Sequence, residues 1–61
     1  MKTQASIILQ ELNSKYGVSD EKIAGKFSVR AITVYRWRVG KCNPSAVELK
    51  LLQRILRGYQ N

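Results

Sequence analysis

The chain has 61 residues, of which 44% are hydrophobic and 25% are charged, and 11 Lys and Arg against 4 Asp and Glu give a net charge of +7. A chain of this size forms one domain around a small core, and the composition is typical of a folded globular protein. One cysteine and no histidine exclude an internal disulfide and the usual zinc ligand sets. The longest apolar runs, such as Ile7–Leu9, are too short to span a membrane.

The N-terminal part of the chain predicts a helix from about Gln4 to Lys15. Its apolar residues recur at helical spacing, and they are Ala5, Ile8, Leu9, Leu12 and Tyr16. Thr3 is a suitable N-cap, because its hydroxyl can accept a hydrogen bond from an early backbone N–H. Gly17 predicts that the helix ends at a residue in the left-handed conformation, and Val18 is expected to pack its apolar side chain against the helix end.

A second, short helix is predicted to begin after Ser19, which is a favoured N-cap residue. Asp20 and Glu21 fall in its first turn, where the helix dipole stabilises acidic side chains. Its buried side is expected to consist of Ile23, Ala24 and Phe27. Ser28 and Val29 then form a tight break.

The third helix is predicted to run from residue 30 or 31 to Val39, where Gly40 ends it. At about 100° per residue, Val34 and Trp37 fall on one side, which is the predicted inner face. The opposite side carries Ile32, Tyr35, Arg36 and Val39. Because a solvent-facing helix usually carries Glu, Lys and Gln, apolar groups beside an arginine predict a face that meets another molecule.

The fourth helix is predicted to follow the loop 41–44, where Ser45 and Glu48 form a capping-box pattern. It is expected to reach Leu56 or Arg57, with Gly58 as its stop and 59–61 as a frayed tail.

Apolar residues of this last helix form two stripes. One stripe consists of Leu49, Leu52 and Leu56, and the other of Val47, Leu51 and Ile55. One is expected to close the core, and the other, with Tyr59, either contacts a second copy of the chain or widens the core. The residues predicted for a dimer contact are Leu52, Ile55, Leu56 and Tyr59.

Positive charge is concentrated in the middle of the chain. Between Glu21 and Glu48 there is no acidic residue, and the cations are Lys22, Lys26, Arg30, Arg36, Arg38 and Lys41. Tyr35 and Trp37 lie among them, which is a pattern expected of a nucleic-acid contact surface. The alternative is a solvated basic face.

Small, apolar and polar residues are spaced in a specific way between Ser19 and Ser45. They are Ile23-Ala24, Phe27, Val29, Thr33-Val34, Arg36-Trp37, Gly40 and Pro44-Ser45. At this spacing the stretch resembles the helix-turn-helix of the lambda-repressor-like family, the phage repressor and Cro class. The four predicted helices and the resemblance together imply an all-α, compact bundle of four short helices over 1–57 and a tail over 58–61. Helices two and three would form the motif at about 19–40.

The resemblance also implies that the third helix enters the major groove of DNA. Residues expected to contact base edges are Arg30, Ala31, Ile32, Tyr35, Arg36 and Val39. Those expected to contact phosphates are Lys26, Arg38, Lys41 and Asn43. Arg36 either grips O6 and N7 of guanine, contacts a phosphate or stays a surface charge. Tyr35 either contacts the DNA backbone or shields the helix.

Three positions depart from the family pattern. Asp20 stands where the family usually has a glutamine that contacts phosphate, and a carboxylate repels a phosphate. Ser28 stands where a turn glycine is usual, and serine tolerates a left-handed backbone less well. Arg30 replaces the usual serine cap of the third helix; it cannot cap, but it can reach DNA.

The sequence therefore predicts a sequence-specific, double-stranded DNA-binding transcriptional regulator of the Cro-like repressor kind, cytoplasmic and bound to the nucleoid. It is expected to bind a pseudo-palindromic operator as a homodimer, at least on DNA, without cofactor, metal, membrane or small-molecule ligand. No nucleophile stands beside an activating partner, so no catalytic residue and no enzyme are predicted. Two alternatives stay open: a helix-turn-helix accessory factor for recombination or packaging, and a basic protein-interaction module that binds an acidic partner.

Overall fold

Four helices make up the part of the chain that the structure, a computed structural model, describes. That part is residues 3–60, so Met1, Lys2 and Asn61 lie outside it. The helices are α1 (Gln4–Lys15), α2 (Asp20–Phe27), α3 (Ala31–Val39) and α4 (Ala46–Gln60), and all regular structure in this range is helical. The predicted all-α fold of four helices is confirmed. None of the four is long and apolar enough to cross a membrane.

Both ends of α1 are fixed by local hydrogen bonds. The Thr3 hydroxyl oxygen accepts from the backbone N–H of Ser6 at 3.0 Å, which confirms the predicted N-cap. After the helix, Gly17 has φ 66, and the N–H of Val18 donates to the Leu12 carbonyl at 3.0 Å. Val18 is buried, so the predicted left-handed stop with its apolar lock is confirmed.

The start of α4 has the predicted capping box. The backbone N–H of Ser45 donates to Oε1 of Glu48 at 2.9 Å, and the N–H of Glu48 donates to the Ser45 hydroxyl at 3.3 Å. These two bonds satisfy backbone donors that the first turn of a helix leaves free.

The predicted stop of α4 at Gly58 is wrong, because the helix continues to Gln60. Contacts with α1 hold this last turn. The rings of Tyr59 and Tyr16 lie 5.6 Å apart, and Nε2 of Gln60 donates to a carboxylate oxygen of Glu11 at 3.3 Å. The tail predicted from residue 58 is therefore part of the helix as far as Gln60, and Asn61 lies outside the described residues.

The core lies where α1 meets α3 and α4. Its buried hydrophobic residues are Ala5, Ile8, Leu9, Leu12, Val18, Ile23, Ala24, Val34, Trp37 and Leu52. α1 supplies more of them than any other helix, and α2 and α3 close the other side by packing on each other. Residues from all four helices thus hold the α2–α3 pair in one arrangement.

The predicted dimer contact on α4 needs correction. Leu52 has 0% of its surface exposed, so its side chain cannot contact a second copy of the chain. Ile55 and Leu56 are half-buried and pack against the core. Tyr59 is exposed but stacks on Tyr16. The core uses most of these side chains because a small domain has few apolar residues with which to form a core.

Candidate nucleic-acid interface

The connection between α2 and α3 is a tight turn of three residues. Ser28 adopts the left-handed conformation, with φ 56 and ψ 40, and its N–H donates to the Ala24 carbonyl. The N–H of Val29 donates to the same carbonyl at 3.1 Å. Ser28 thus has a left-handed backbone, which glycine adopts more readily than serine does.

Two buried side chains fix the orientation of α3. Val34 is 0% exposed and Trp37 is 4% exposed, which confirms the predicted inner face. The ring of Trp37 meets Phe27 of α2 edge to face, with 5.7 Å between centroids and an interplanar angle of 74°. This geometry is favourable for aromatic pairs, so it ties α3 to α2 as well as to the core.

The opposite side of α3 faces solvent. Its residues, Ile32, Tyr35, Arg36 and Val39, are here called the α3 outer ridge. Ile32 is 48% exposed and Tyr35 is 40% exposed, so these large side chains lie open as the helical spacing predicts. Arg36 is also exposed, whereas Val39 is half-buried. The accessible part of the ridge is therefore an isoleucine, a tyrosine and an arginine.

The start of α3 has no side-chain cap. Arg30 occupies the N-cap position with extended backbone, and its side chain makes no capping hydrogen bond. The first turn also contains no acidic residue. Arg30 is exposed, so its guanidinium is accessible beside the ridge, whereas the neighbouring Ala31 is half-buried and packs against the core. Both residues are predicted to contact base edges, and Arg30 has the longer and more exposed side chain.

Asp20 and Arg38 form an ion pair that no local pattern in the sequence predicts. Nε of Arg38 donates to the two carboxylate oxygens of Asp20 at 3.2 and 3.3 Å, and Nη2 donates to Oδ2 at 3.2 Å. The same guanidinium lies over the ring of Tyr35, 5.2 Å from its centroid. Such a fork-shaped contact is among the stronger ion pairs. The charge of the carboxylate at the start of α2 is thus neutralised. Asp20 would also compete with a DNA phosphate, the predicted partner of Arg38, for the same guanidinium.

Further exposed cations lie on the segments that precede and follow α3. Lys26 is exposed at the end of α2, and Lys41 is exposed directly after α3. Gly40 ends that helix with φ 85, as predicted, and the N–H of Lys41 donates to the Arg36 carbonyl at 2.9 Å. This bond holds the start of the loop close to the ridge. Asn43, the remaining predicted phosphate contact, is exposed in the same loop.

Little of this positive charge is neutralised within the molecule. Among residues 3–60, the ion pair of Arg38 and Asp20 is the one contact between opposite charges within 4.0 Å. The cations that stay without such a partner near α3 are Lys26, Arg30, Arg36 and Lys41. They are available to a polyanion.

A shallow groove of about 450 Å³ runs between the start of α2 and the α3 outer ridge. It is lined by Asn13, Ser19, Asp20, Glu21, Ala31, Ile32 and Tyr35. The groove brings two acidic side chains next to the apolar part of the ridge, an arrangement that the linear spacing of these residues does not suggest. The surface around α3 therefore carries exposed cations as well as acidic and apolar side chains.

Comparisons of the chain with models of protein families, with curated proteins and with solved structures return no match. Within the described residues, no group of three or more His, Cys, Asp or Glu side chains is placed to hold a metal ion.

Proposed function

We propose that this protein binds double-stranded DNA sequence-specifically through the α3 outer ridge and acts as a small, Cro-like transcriptional repressor. The observation that carries the proposal is the division of α3 into two sides. Val34 and Trp37 anchor one side in the core, while Ile32, Tyr35 and Arg36 lie exposed on the other. A helix whose rotation is fixed from behind presents its exposed side chains in one geometry, as specific recognition requires.

The dimensions of α3 suit the major groove. A helix with side chains is about 10–12 Å across, and the groove is about 12 Å wide. Arg36 would donate to O6 and N7 of guanine, while Ile32 would contact a thymine methyl group. Tyr35 would pack against the sugar-phosphate backbone. The ridge therefore combines one strong hydrogen-bonding reader with apolar contacts.

Cations around the ridge would set the position of the protein on the duplex. Lys26, Lys41 and Arg30 are exposed and have no carboxylate partner among the described residues, and Asn43 adds a neutral donor. Contacts of this kind go to phosphates and carry no sequence information of their own. Arg38 would add a further contact only by leaving Asp20.

The proposed target is a pseudo-palindromic operator that two copies occupy together. Helix-turn-helix dimers bind half-sites about 34 Å apart, which is one turn of DNA. The buried state of Leu52 removes part of the predicted protein–protein contact. We therefore expect the two copies to come together chiefly on the DNA.

Selection of duplexes from a random pool tests the proposal, because it reports both a preferred sequence and its symmetry. The affinity for the selected duplex should then fall with salt. Three cations on phosphates, Lys26, Arg30 and Lys41, would release counterions from the DNA and give a slope of about −3 for log K against log salt per monomer. Lys41→Ala should reduce that slope by about 1, whereas Arg54→Ala on α4 should not change it. Absence of binding to any duplex at low salt would contradict the proposal.

A further inference from the structure

The outward side of α4 carries apolar surface that the core does not use. Val47 is 69% exposed, and Leu51, one turn later, is 37% exposed, whereas Leu52 on the inward side is fully buried. The residues that line a shallow groove of about 430 Å³ along this side are Val47, Lys50, Leu51, Gln53, Arg54 and Arg57. They are called the α4 outer face below.

Positive charge flanks the two apolar side chains. Within the described residues, Lys50, Arg54 and Arg57 have no carboxylate within 4.0 Å. The nearest acidic residue along the helix, Glu48, accepts from the backbone N–H of Ser45 in the capping box. The α4 outer face therefore offers an apolar pair beside three unneutralised cations.

Charge decides which occupant fits this face. A second copy of the chain, docked by a two-fold axis, would place the same three cations against one another. A DNA duplex would neutralise the cations but would leave Val47 and Leu51 facing charged phosphates. A segment with apolar side chains one helical turn apart and carboxylates beside them satisfies both features, because an amphipathic helix places such residues on one side.

We infer that the α4 outer face docks an acidic amphipathic helix of a partner protein. The surface shares no residue with the α3 outer ridge, because all of its lining residues lie on α4. The protein could thus hold a partner through α4 while α3 remains free. This inference does not depend on DNA binding, and the peptide measurements that test it contain no DNA.

The test uses the full chain and three synthetic peptides of equal length labelled with a fluorophore. The first places leucines one turn apart with glutamates beside them, the second scrambles the same composition, and the third replaces each glutamate by lysine. Fluorescence anisotropy should show the first peptide binding at least about tenfold tighter than the second, and no binding of the third. Equal affinity for the first two peptides would show attraction by net charge alone and would overturn the inference.

Variants locate the binding. The double variant Val47→Ser with Leu51→Ser should weaken binding of the first peptide about tenfold or more, and Arg54→Glu should do the same. The matched control is Ile7→Ser, because Ile7 is 53% exposed on α1 and is absent from the α4 outer face. It should bind the peptide as the unchanged protein does. Circular dichroism establishes that each variant is folded.

Two further results would assign the face to another occupant and overturn the inference. One is a dimer in sedimentation of the unchanged protein that Leu51→Ser abolishes, which would identify a second copy. The other is loss of duplex binding in Leu51→Ser, which would identify DNA. If Leu51→Ser leaves sedimentation and duplex binding unchanged but weakens binding of the first peptide, the result supports docking of a partner helix.

Discussion

Helices α2 and α3 are neighbours of almost equal length, with eight and nine residues, but they are stabilised in opposite ways. α2 follows the local rules of helix formation. The hydroxyl of Ser19 accepts from the N–H of Lys22 at 3.2 Å, Asp20 and Glu21 lie in the first turn, and Lys26 lies in the last. Each of these features stabilises a helix in its own right.

α3 lacks these features at its start. Arg30 provides no side-chain cap, the first turn has no acidic residue, and Ile32, Thr33 and Val34 are β-branched residues in succession. Such residues lower helix propensity, and an isolated helix of nine residues is unstable in water. Packing of Val34 and Trp37 must therefore hold α3 in place. The contrast shows that local features stabilise α2, whereas packing of the inner face stabilises α3.

The strongest test of this contrast removes the anchor of α3. Trp37→Ala should lower the free energy of unfolding by about 3–5 kcal/mol, because it deletes a buried indole and its contact with Phe27. Urea denaturation measures the change. Tyr35→Ala, on the exposed side of the same helix, should cost far less. Equal losses from the two substitutions would mean that α3 does not depend on its inner face.

The exposed side of α3 should instead affect DNA binding. Arg36→Ala should weaken binding to the preferred duplex by about 1–3 kcal/mol and relax the preference at one base pair, while the free energy of unfolding stays almost unchanged. Binding titrations on the preferred duplex and on single-base variants measure both effects. Arg57→Ala on α4 is the control for loss of one positive charge. Equal weakening on every duplex would identify Arg36 as a phosphate contact.

Adding an N-cap to α3 and removing the N-cap of α2 should change the free energy of unfolding in opposite directions. Arg30→Ser gives α3 the cap that it lacks and should raise the free energy of unfolding by about 1 kcal/mol, whereas Ser19→Ala should lower it by a similar amount. The same Arg30 variant should bind duplex more weakly, because it loses a cation beside the ridge. Thermal and urea denaturation measure stability. If Arg30→Ser leaves stability unchanged, the missing cap is not what weakens the start of α3.

The smallest expected effect concerns the turn between the two helices. Ser28 has φ 56, so Ser28→Gly should raise the free energy of unfolding by about 0.5–1 kcal/mol. The reverse exchange is available at Gly17, which has φ 66 and open space where a side chain would begin. Gly17→Ser should therefore destabilise the protein by a similar amount. A destabilised Ser28→Gly variant would show that the serine side chain makes a favourable contribution at the turn.

Local sequence determined most of the helices and one side of the candidate site. The predicted caps at Thr3, Ser19 and Ser45 and the stop at Gly40 are confirmed, because each depends on side chains and backbone within a few residues. Helical spacing likewise predicted that Trp37 is buried and that the opposite side of α3 is exposed.

Tertiary structure decided what depends on residues distant in the sequence. The pairing of Asp20 with Arg38 requires α2 and α3 to lie side by side, so no local pattern reveals it. Gly58 would end an isolated helix, but stacking of Tyr59 on Tyr16 extends α4 past it. Which apolar stripe of α4 is buried depends on the position of α1, since a helix alone cannot determine which of its two apolar sides a neighbour will cover.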